Sequence, residues 1–252
     1  MSFNLLKGKR GIIFGALNDA SIAWKVAERA VEEGAQIVLT NTAVACRMGT
    51  IDELAKKTNA TVIPADATSV EDLTNLFEKA QEAMGGKIDF VLHSCAMSVN
   101  MRKKRTYDDL DYGFLDKTLD ISAISFHKML QVAKKLDALN EEASVLALTY
   151  VASHRTFFGY NDMADAKSLL ESIARSFGYI YGREKHVRIN TISQSPTFTT
   201  AGSGIKGFDG LYDFSDRIFH VHFKDIKLYP DKLREVGDIV KGLLDELLQK
   251  SA

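Results

Sequence analysis

A chain of 252 residues, 46% of them apolar and 26% charged, has the composition of an ordinary globular core and enough length to bury it without a disulfide or metal staple. Its 32 basic and 33 acidic side chains leave a net charge of −1, which excludes a general attraction to nucleic acid or to an anionic membrane surface. Cys46 and Cys95 stand far apart and outside any metal-ligand spacing, and no apolar run reaches the ~20 residues of a membrane span, so the expected setting is the reduced cytoplasm with no membrane partner.

The N-terminus, MSFNLLKGKRGIIFG, passes straight into a strand pattern and contains no cleavage site. Gly11 to Phe14 is the first expected strand. It runs through Gly15 into a short loop and an amphipathic helix that begins near Ser21, reaches Glu33 and is closed by Gly34. Gln36 to Thr40 follows as a second strand, Arg47 to Lys57 as a helix and Thr61 to Pro64 as a third strand. Val70 to Met84 carries apolar residues at Val70, Leu73, Leu76, Phe77 and Ala80, a helical period that Gly85-Gly86 ends. Ile88 to His93 is a fourth strand, Leu110 to Leu136 is helical in one or two pieces, and Ser144 to Leu148 is a fifth strand. A long helix is expected from about Asn161 to Tyr181, a sixth strand from Val187 to Ile192, and an amphipathic helix from Leu233 to Leu248. Strands and helices thus alternate, without an internal repeat or an interdomain linker. The pattern implies one α/β domain over residues 1–252, a doubly wound parallel sheet of six to seven strands with helices on both faces. In such a sheet ligands bind outside the carboxyl ends of the strands.

Those strand ends carry the candidate residues. Gly15, ahead of a helix that starts near Ser21 and Ile22, lets backbone approach a pyrophosphate while the helix N-terminus offers N–H groups and positive dipole. The usual run of three glycines is absent, and Ser21 is equally suited to cap the helix. Asp66 and Ala67 follow the third strand, where a carboxylate accepts either from an adenine amino group or from the next turn. Ser94, Cys95 and Ala96 follow the fourth and are small enough for a ribose or flat ring to lie against them. Asn41 occupies the place after the second strand where an acid often binds ribose, and Arg47 nearby has the charge for a 2′-phosphate, which leaves the choice of dinucleotide open. Arg102-Lys103-Lys104-Arg105 is a dense basic run, read either as a solvated loop or as a landing patch for an acidic partner. His220 and His222 share a strand face but have no third ligand beside them, so no metal is expected.

Tyr160 stands at the mouth of the long helix and Lys167 is seven residues on, about 10.5 Å of helical rise. The two side chains therefore point to one side. A cation there binds hydroxyls and supplies positive potential, and a phenol donates to an oxygen that becomes negative during reaction. The same spacing also arises on a solvated helix face.

Taken together, these residues resemble a known family. Gly15-x5-Ser21-Ile22-Ala23, the pair His93-Ser94, and Tyr150 ten residues before Tyr160 all match bacterial enoyl-acyl-carrier-protein reductase. So do the segment Tyr160-Asn-Asp-Met163-Ala-Asp-Ala-Lys167, Arg188-Ile-Asn190-x-Ile-Ser193 and Pro196-Thr197. That family is a branch of the short-chain dehydrogenase/reductase superfamily, most of which spaces its Tyr and Lys one turn closer. The resemblance spans about residues 3 to 217.

It implies a Rossmann-like fold and hydride transfer from reduced nicotinamide to the β-carbon of a trans-2-enoyl thioester on acyl carrier protein. NADH is the expected donor, since no basic pair directly follows the second strand, with NADPH as the alternative. Tyr160 would hydrogen-bond the thioester oxygen, Lys167 would hold the nicotinamide ribose, and Tyr150, with Met97 and Tyr160, would line the substrate site. Gly15, Ser21 and Ile22 would contact the pyrophosphate, Asp66 and Ala67 the adenine, and Ser94 to Ala96 the ribose and nicotinamide. Ile189, Pro196, Thr197, Phe198 and Thr199 would complete the cofactor pocket. A homo-oligomer, dimer or tetramer, is also implied. By its charge, and not by the resemblance, the basic run is expected to meet the acidic carrier protein. After about Arg217 the likeness fades, and residues 218–252 are atypical for the family. Two other readings are a short-chain carbonyl reductase, and a nucleotide-sensing or scaffold protein that kept the fold without turnover.

Overall fold

The first strand sets the layering, because its side chains alternate between two apolar layers. In the computed structural model, which describes residues 2–157 and 159–193, β1 (Arg10–Phe14) sends Ile12 and Phe14 into one core and Ile13 into the other. The same division recurs along β2 (Gln36–Thr40), β4 (Ile88–His93) and β5 (Leu139–Thr149). Val38, Val91, Val145 and Ala147 face one layer, and Ile37, Leu39 and Leu92 face the other. Period-2 alternation between two apolar layers requires helices on both sides of the sheet. With β3 (Thr61–Val62) and β6 (Arg188–Ser193) the sheet has the order β3-β2-β1-β4-β5-β6, and every pairing is parallel. The expected doubly wound sheet is present with six strands among the described residues; a seventh would fall outside them, as would the helix expected at Leu233 to Leu248.

On one face lie α1 (Ile22–Glu32), with Ala23, Trp24 and Ala27 buried, and α3 (Ile51–Thr58), with Ile51 and Leu54 buried. On the other lie α4 (Val70–Met84), α7 (Ser125–Lys135) and α8 (Asn161–Lys185). α4 shows how sequence fixes such a helix. Ser69 accepts from the Asp72 amide at its start, Leu73, Leu76, Phe77 and Ala80 form its buried stripe, and Gly85 ends it in the left-handed region at φ +68. Truncating fully buried Phe77 to Ala would cost about 3–5 kcal/mol.

Three elements depart from expectation, and the long helical stretch comes in two pieces. The helix expected over Arg47 to Lys57 is two, α2 (Ala43–Met48) and α3, broken at Gly49. There the Thr50 amide donates to the Leu17 carbonyl at 3.0 Å, which draws the chain onto the loop after β1. β3 stops at Val62, before Pro64, which has no N–H for the ladder. β5 begins five residues early, past a register irregularity between Ile88 and Phe90. The long helical stretch is α6 (Tyr112–Leu119), one π-helical turn (Asp120–Ile124) and α7. A short helix, α5 (Val99–Arg102), and a 3₁₀ turn (Tyr107–Asp109) precede it. Among the described residues no helix is long and apolar enough to cross a membrane.

Candidate active site

The strand order reverses between β1 and β4, and the two loops that leave these strands touch. Gly15 has φ +88, and a Cβ there would lie 2.2 Å from the Ser94 carbonyl oxygen. Only a residue without a side chain permits this approach, so the crevice of the switch point opens between Gly15 and Ser94. The loop after Gly15 is held by its own polar atoms. Ser21 Oγ accepts from the amides of Leu17 at 3.1 Å and Asn18 at 3.0 Å and donates to the Asn18 carbonyl at 2.6 Å. Ser21 stands at the N-cap of α1 but makes no side-chain cap bond; its hydroxyl shapes the loop instead. Asn41 Nδ2 donates to the Ala16 carbonyl at 3.0 Å, so this residue braces the same loop. A glycine pressed on backbone, a shaped loop and a helix start together fit a dinucleotide pyrophosphate. Exposed Arg47 lies in α2 beyond Asn41.

Asp66 serves its own turn with one oxygen, Oδ1 accepting from the Thr68 amide at 2.9 Å and from Thr68 Oγ1 at 2.7 Å, and the side chain remains exposed. Lys128 Nζ donates to the Thr68 carbonyl at 2.8 Å and to Asp120 Oδ1 at 2.7 Å, tying that turn to the π-helical turn. Ser122 of the π-turn accepts from the Met97 amide at 3.0 Å. Ser125, just past it, lies 2.9 Å from His93 Nε2. The π-turn therefore supports both His93 at the end of β4 and Met97 beyond it, a local irregularity placed beside a site. His93 is buried, and burial with the nearby Lys167 charge pushes its imidazole down to about 3, so it stays neutral.

The end of β5 brings Tyr150, Tyr160 and Lys167 together. Tyr150 is 5% exposed and its ring lies 4.7 Å from that of Tyr160 and 5.5 Å from that of Phe157. Lys167 is also 5% exposed, and its Nζ donates to the Leu148 carbonyl at 2.6 Å. Burial pulls the lysine down to about 8; the Glu171 charge opposes that shift, as Cys95 would once ionised. Burial pushes Tyr150 up to about 12 and raises Tyr160 as well, with a further contribution from Tyr150. At neutral pH the site thus holds a protonated phenol as a hydrogen-bond donor and a lysine still mostly charged. The Cys95 thiol, pushed up to about 12 chiefly by burial, remains protonated.

A second set of side chains, not singled out in the sequence, fixes the start of α8. Asp162 is fully buried. Its Oδ1 accepts from Ser98 Oγ at 2.6 Å, and its Oδ2 accepts from Asn100 Nδ2 at 2.9 Å and Thr118 Oγ1 at 2.8 Å. Asn161 Nδ2 donates to the Arg105 carbonyl, and Tyr107 Oη donates to both oxygens of Asp165 at 3.2 Å. The segment carrying the basic run is thereby bonded to the turn that follows Tyr160. A signal for Asp162 existed: with Ala166, Leu170, Ile173 and Phe177 it falls on the buried stripe of α8, where an acid needs partners.

Of the predicted site residues, Gly15 meets Ser94 at the switch point; Ser21 and Ile22 stand at the start of α1, Cys95 and Ala96 follow Ser94 in the loop after β4, and Asp66 and Ala67 follow β3. Tyr150, Tyr160 and Lys167 gather at the end of β5, whereas Ile189 lies within the sheet on β6, paired in register with Val145, four residues before that end. Pro196, Thr197, Phe198, Thr199, His220 and His222 lie outside the described residues.

The family model for Enoyl-(Acyl carrier protein) reductase matches residues 15–222. The chain is 34% identical over 212 residues to the NADH enoyl-acyl-carrier-protein reductase FabI of Rickettsia bellii, covering 84% of this chain and 79% of the relative. It is 35% identical over 244 residues to the NADH enoyl-acyl-carrier-protein reductase 1 of Rhizobium meliloti, covering 96% and 86%. The crystal structure of the FabI–NADH complex from Alistipes finegoldii superposes with a TM-score of 0.82 at 73% identity, over 84% of this chain and 75% of that one.

Proposed function

This chain belongs to the enoyl-(acyl carrier protein) reductase family, and on that premise we propose that it reduces trans-2-enoyl thioesters of acyl carrier protein with NADH in bacterial type II fatty acid biosynthesis. The observation that carries the reading is the convergence of Tyr160 on the Tyr150 ring and of Lys167 on the Leu148 carbonyl at the end of β5. A neutral donor and a cation at one strand end, beside a switch-point crevice that fits a dinucleotide, support the reading.

Gly15, Ser21 and Ile22 would hold the pyrophosphate, Asp66 and Ala67 the adenine, and Ser94, Cys95 and Ala96 the ribose and nicotinamide side. Lys167 would hold the nicotinamide ribose hydroxyls, and Ile189 with Pro196, Thr197, Phe198 and Thr199 would complete the pocket. Bound NADH supplies the hydride for the substrate β-carbon. Tyr160 donates a hydrogen bond to the thioester oxygen as negative charge gathers there, and proton delivery to the α-carbon completes the reduction. Lys167 keeps positive potential beside that oxygen. Tyr150 and Met97 line the acyl side. We take the protein to act in the cytoplasm as a single-domain homo-oligomer, dimer or tetramer, with the carrier protein arriving over Arg102 to Arg105.

The test is purified protein with crotonyl and longer trans-2-enoyl thioesters, followed by loss of reduced-nicotinamide absorbance with NADH and NADPH separately. Turnover of enoyl thioesters, faster with NADH, is expected. Turnover of 3-oxoacyl thioesters or ketones instead would select the carbonyl reductase. Tight cofactor binding without any turnover would select a sensing or scaffold role.

A further inference from the structure

α8 carries another ionised group beside the site that the mechanism above leaves unused. Glu171 follows Lys167 by four residues, which puts the two side chains one turn apart on the same helix face. The carboxylate is 13% exposed. Its Oε1 accepts from Thr149 Oγ1 at 2.7 Å and from Ser153 Oγ at 2.6 Å, and its Oε2 lies 3.4 Å from His154 Nδ1. Ser168, also on α8, donates to the Ser153 carbonyl at 2.7 Å. Thr149 immediately precedes Tyr150, and Ser153 ends the 3₁₀ turn that follows it. The turn bearing Tyr150 is therefore bonded on both sides to the helix that bears Lys167.

The surroundings of Lys167 give this carboxylate a second consequence. Lys167 Nζ donates to a neutral carbonyl, that of Leu148. From β4 and its following loop it is faced by neutral His93 and by the thiol of Cys95. Tyr150 and Tyr160 at its strand end are uncharged phenols. Glu171 supplies negative charge from its own helix and favours the ammonium against the pull of burial. Charge-assisted bonds of 2.6–2.7 Å fix where that charge sits.

We propose that Glu171 is a positioning residue of the reductase, a fixed carboxylate that supports the Lys167 cation and ties the Tyr150 turn to α8. The proposal rests on Lys167 acting as a cation in the reaction. The sign follows directly. An opposite charge favours protonated lysine, so its loss lets the ammonium give up its proton at lower pH, and an activity that needs the cation fails at lower pH too.

Glu171→Gln separates charge from geometry, because the amide oxygen still accepts from Thr149 and Ser153. The first readout needs no turnover: the pH dependence of Lys167 modification by an amine-acylating reagent, quantified by peptide mass spectrometry. Its midpoint should fall by about one pH unit in the variant. The second readout is the alkaline limb of kcat/KM, which should move down by the same amount. Ser153→Ala, which removes one bond and keeps the charge, should leave both midpoints in place. Equal lysine midpoints in Glu171→Gln and the unsubstituted protein would overturn the proposal. A shifted midpoint with an unmoved alkaline limb would overturn it together with the role given to Lys167. If the unsubstituted protein turned over no enoyl thioester, the functional reading would fail while the lysine titration still decided the link to Glu171.

Discussion

Around Gly15 the crevice is shaped by backbone, and around Lys167 it is shaped by buried side-chain bonds. At the switch point the decisive contact is an absent Cβ against the Ser94 carbonyl, and the polar side chains there, Ser21 and Asn41, bond to main-chain atoms of the loop after β1. At the end of β5 the bonds run from side chain to side chain between different elements: Asp162 to Ser98, Asn100 and Thr118, and Glu171 to Thr149 and Ser153. The difference follows from what each half must hold. A pyrophosphate is gripped by N–H groups and helix dipole, which any sequence supplies once the chain can bend closely enough. A phenol and an ammonium must be aimed, and aiming takes fixed partners.

The comparison makes opposite demands on substitution. The side-chain half should fail when a polar atom is removed at constant shape. Tyr160→Phe keeps the ring against Tyr150 and deletes only the hydroxyl, and kcat for an enoyl thioester should fall by about 10²–10³-fold, while NADH affinity by fluorescence titration stays within about twofold. An equal loss of cofactor binding would show that Tyr160 supports the pocket rather than the reaction. Asp162→Ala tests the frame behind it. Ser98, Asn100 and Thr118 lose a buried acceptor, and stability should drop by about 3 kcal/mol, read as ~6–12 °C in Tm. An unchanged Tm would mean that the buried carboxylate contributes little to the frame of the site.

Legibility in the sequence divides along the same line. The strands, the two apolar layers and the crossover helices follow from period-2 and 3.6-residue patterns, which are local. Gly15 and the small run Ser94 to Ala96 are readable because strand ends in such a sheet are ligand positions whatever the side chains. Tyr160 and Lys167 are readable as a pair only because one helix carries both. Ser98, Asn100 and Thr118 are not, since nothing in their neighbourhoods says that a carboxylate 44–64 residues away will reach them. The break at Gly49 and the π-helical geometry between α6 and α7 are not legible for a related reason. Each answers a tertiary contact, the Leu17 carbonyl in one case and Met97 with His93 in the other, and helical periodicity continues through both.

The backbone half should instead fail when a carbon is added. Gly15→Ala places a methyl 2.2 Å from the Ser94 carbonyl oxygen at φ +88, so the two loops must part. NADH affinity by calorimetry should weaken about tenfold, a shift of ~1.4 kcal/mol. Ser94→Ala at the facing position should cost far less, because it is the Ser94 carbonyl that meets Gly15. If Ser94→Ala weakened NADH as much as Gly15→Ala, the hydroxyl and not the backbone would shape that side.

The smallest expected effect lies on the segment that joins the basic run to α8. Arg102, Lys103 and Lys104 are exposed, Lys103 lies 4.8 Å over the Phe114 ring, and Arg105 is engaged with Asp109 at 3.1 Å. Reversing the first three to Glu leaves the Arg105 carbonyl and its bond to Asn161 in place. An acidic carrier protein arriving there would lose steering, so KM for a carrier-linked enoyl substrate should rise about five- to tenfold at low salt and recover as salt screens the surface. The matching coenzyme A thioester should change by less than about twofold, and kcat should hold for both, because Asn161 and Asp162 still seat Tyr160. Equal KM changes for the two substrates would remove the carrier protein from this surface, and a fall in kcat would show that the basic segment reaches the catalytic helix through Asn161.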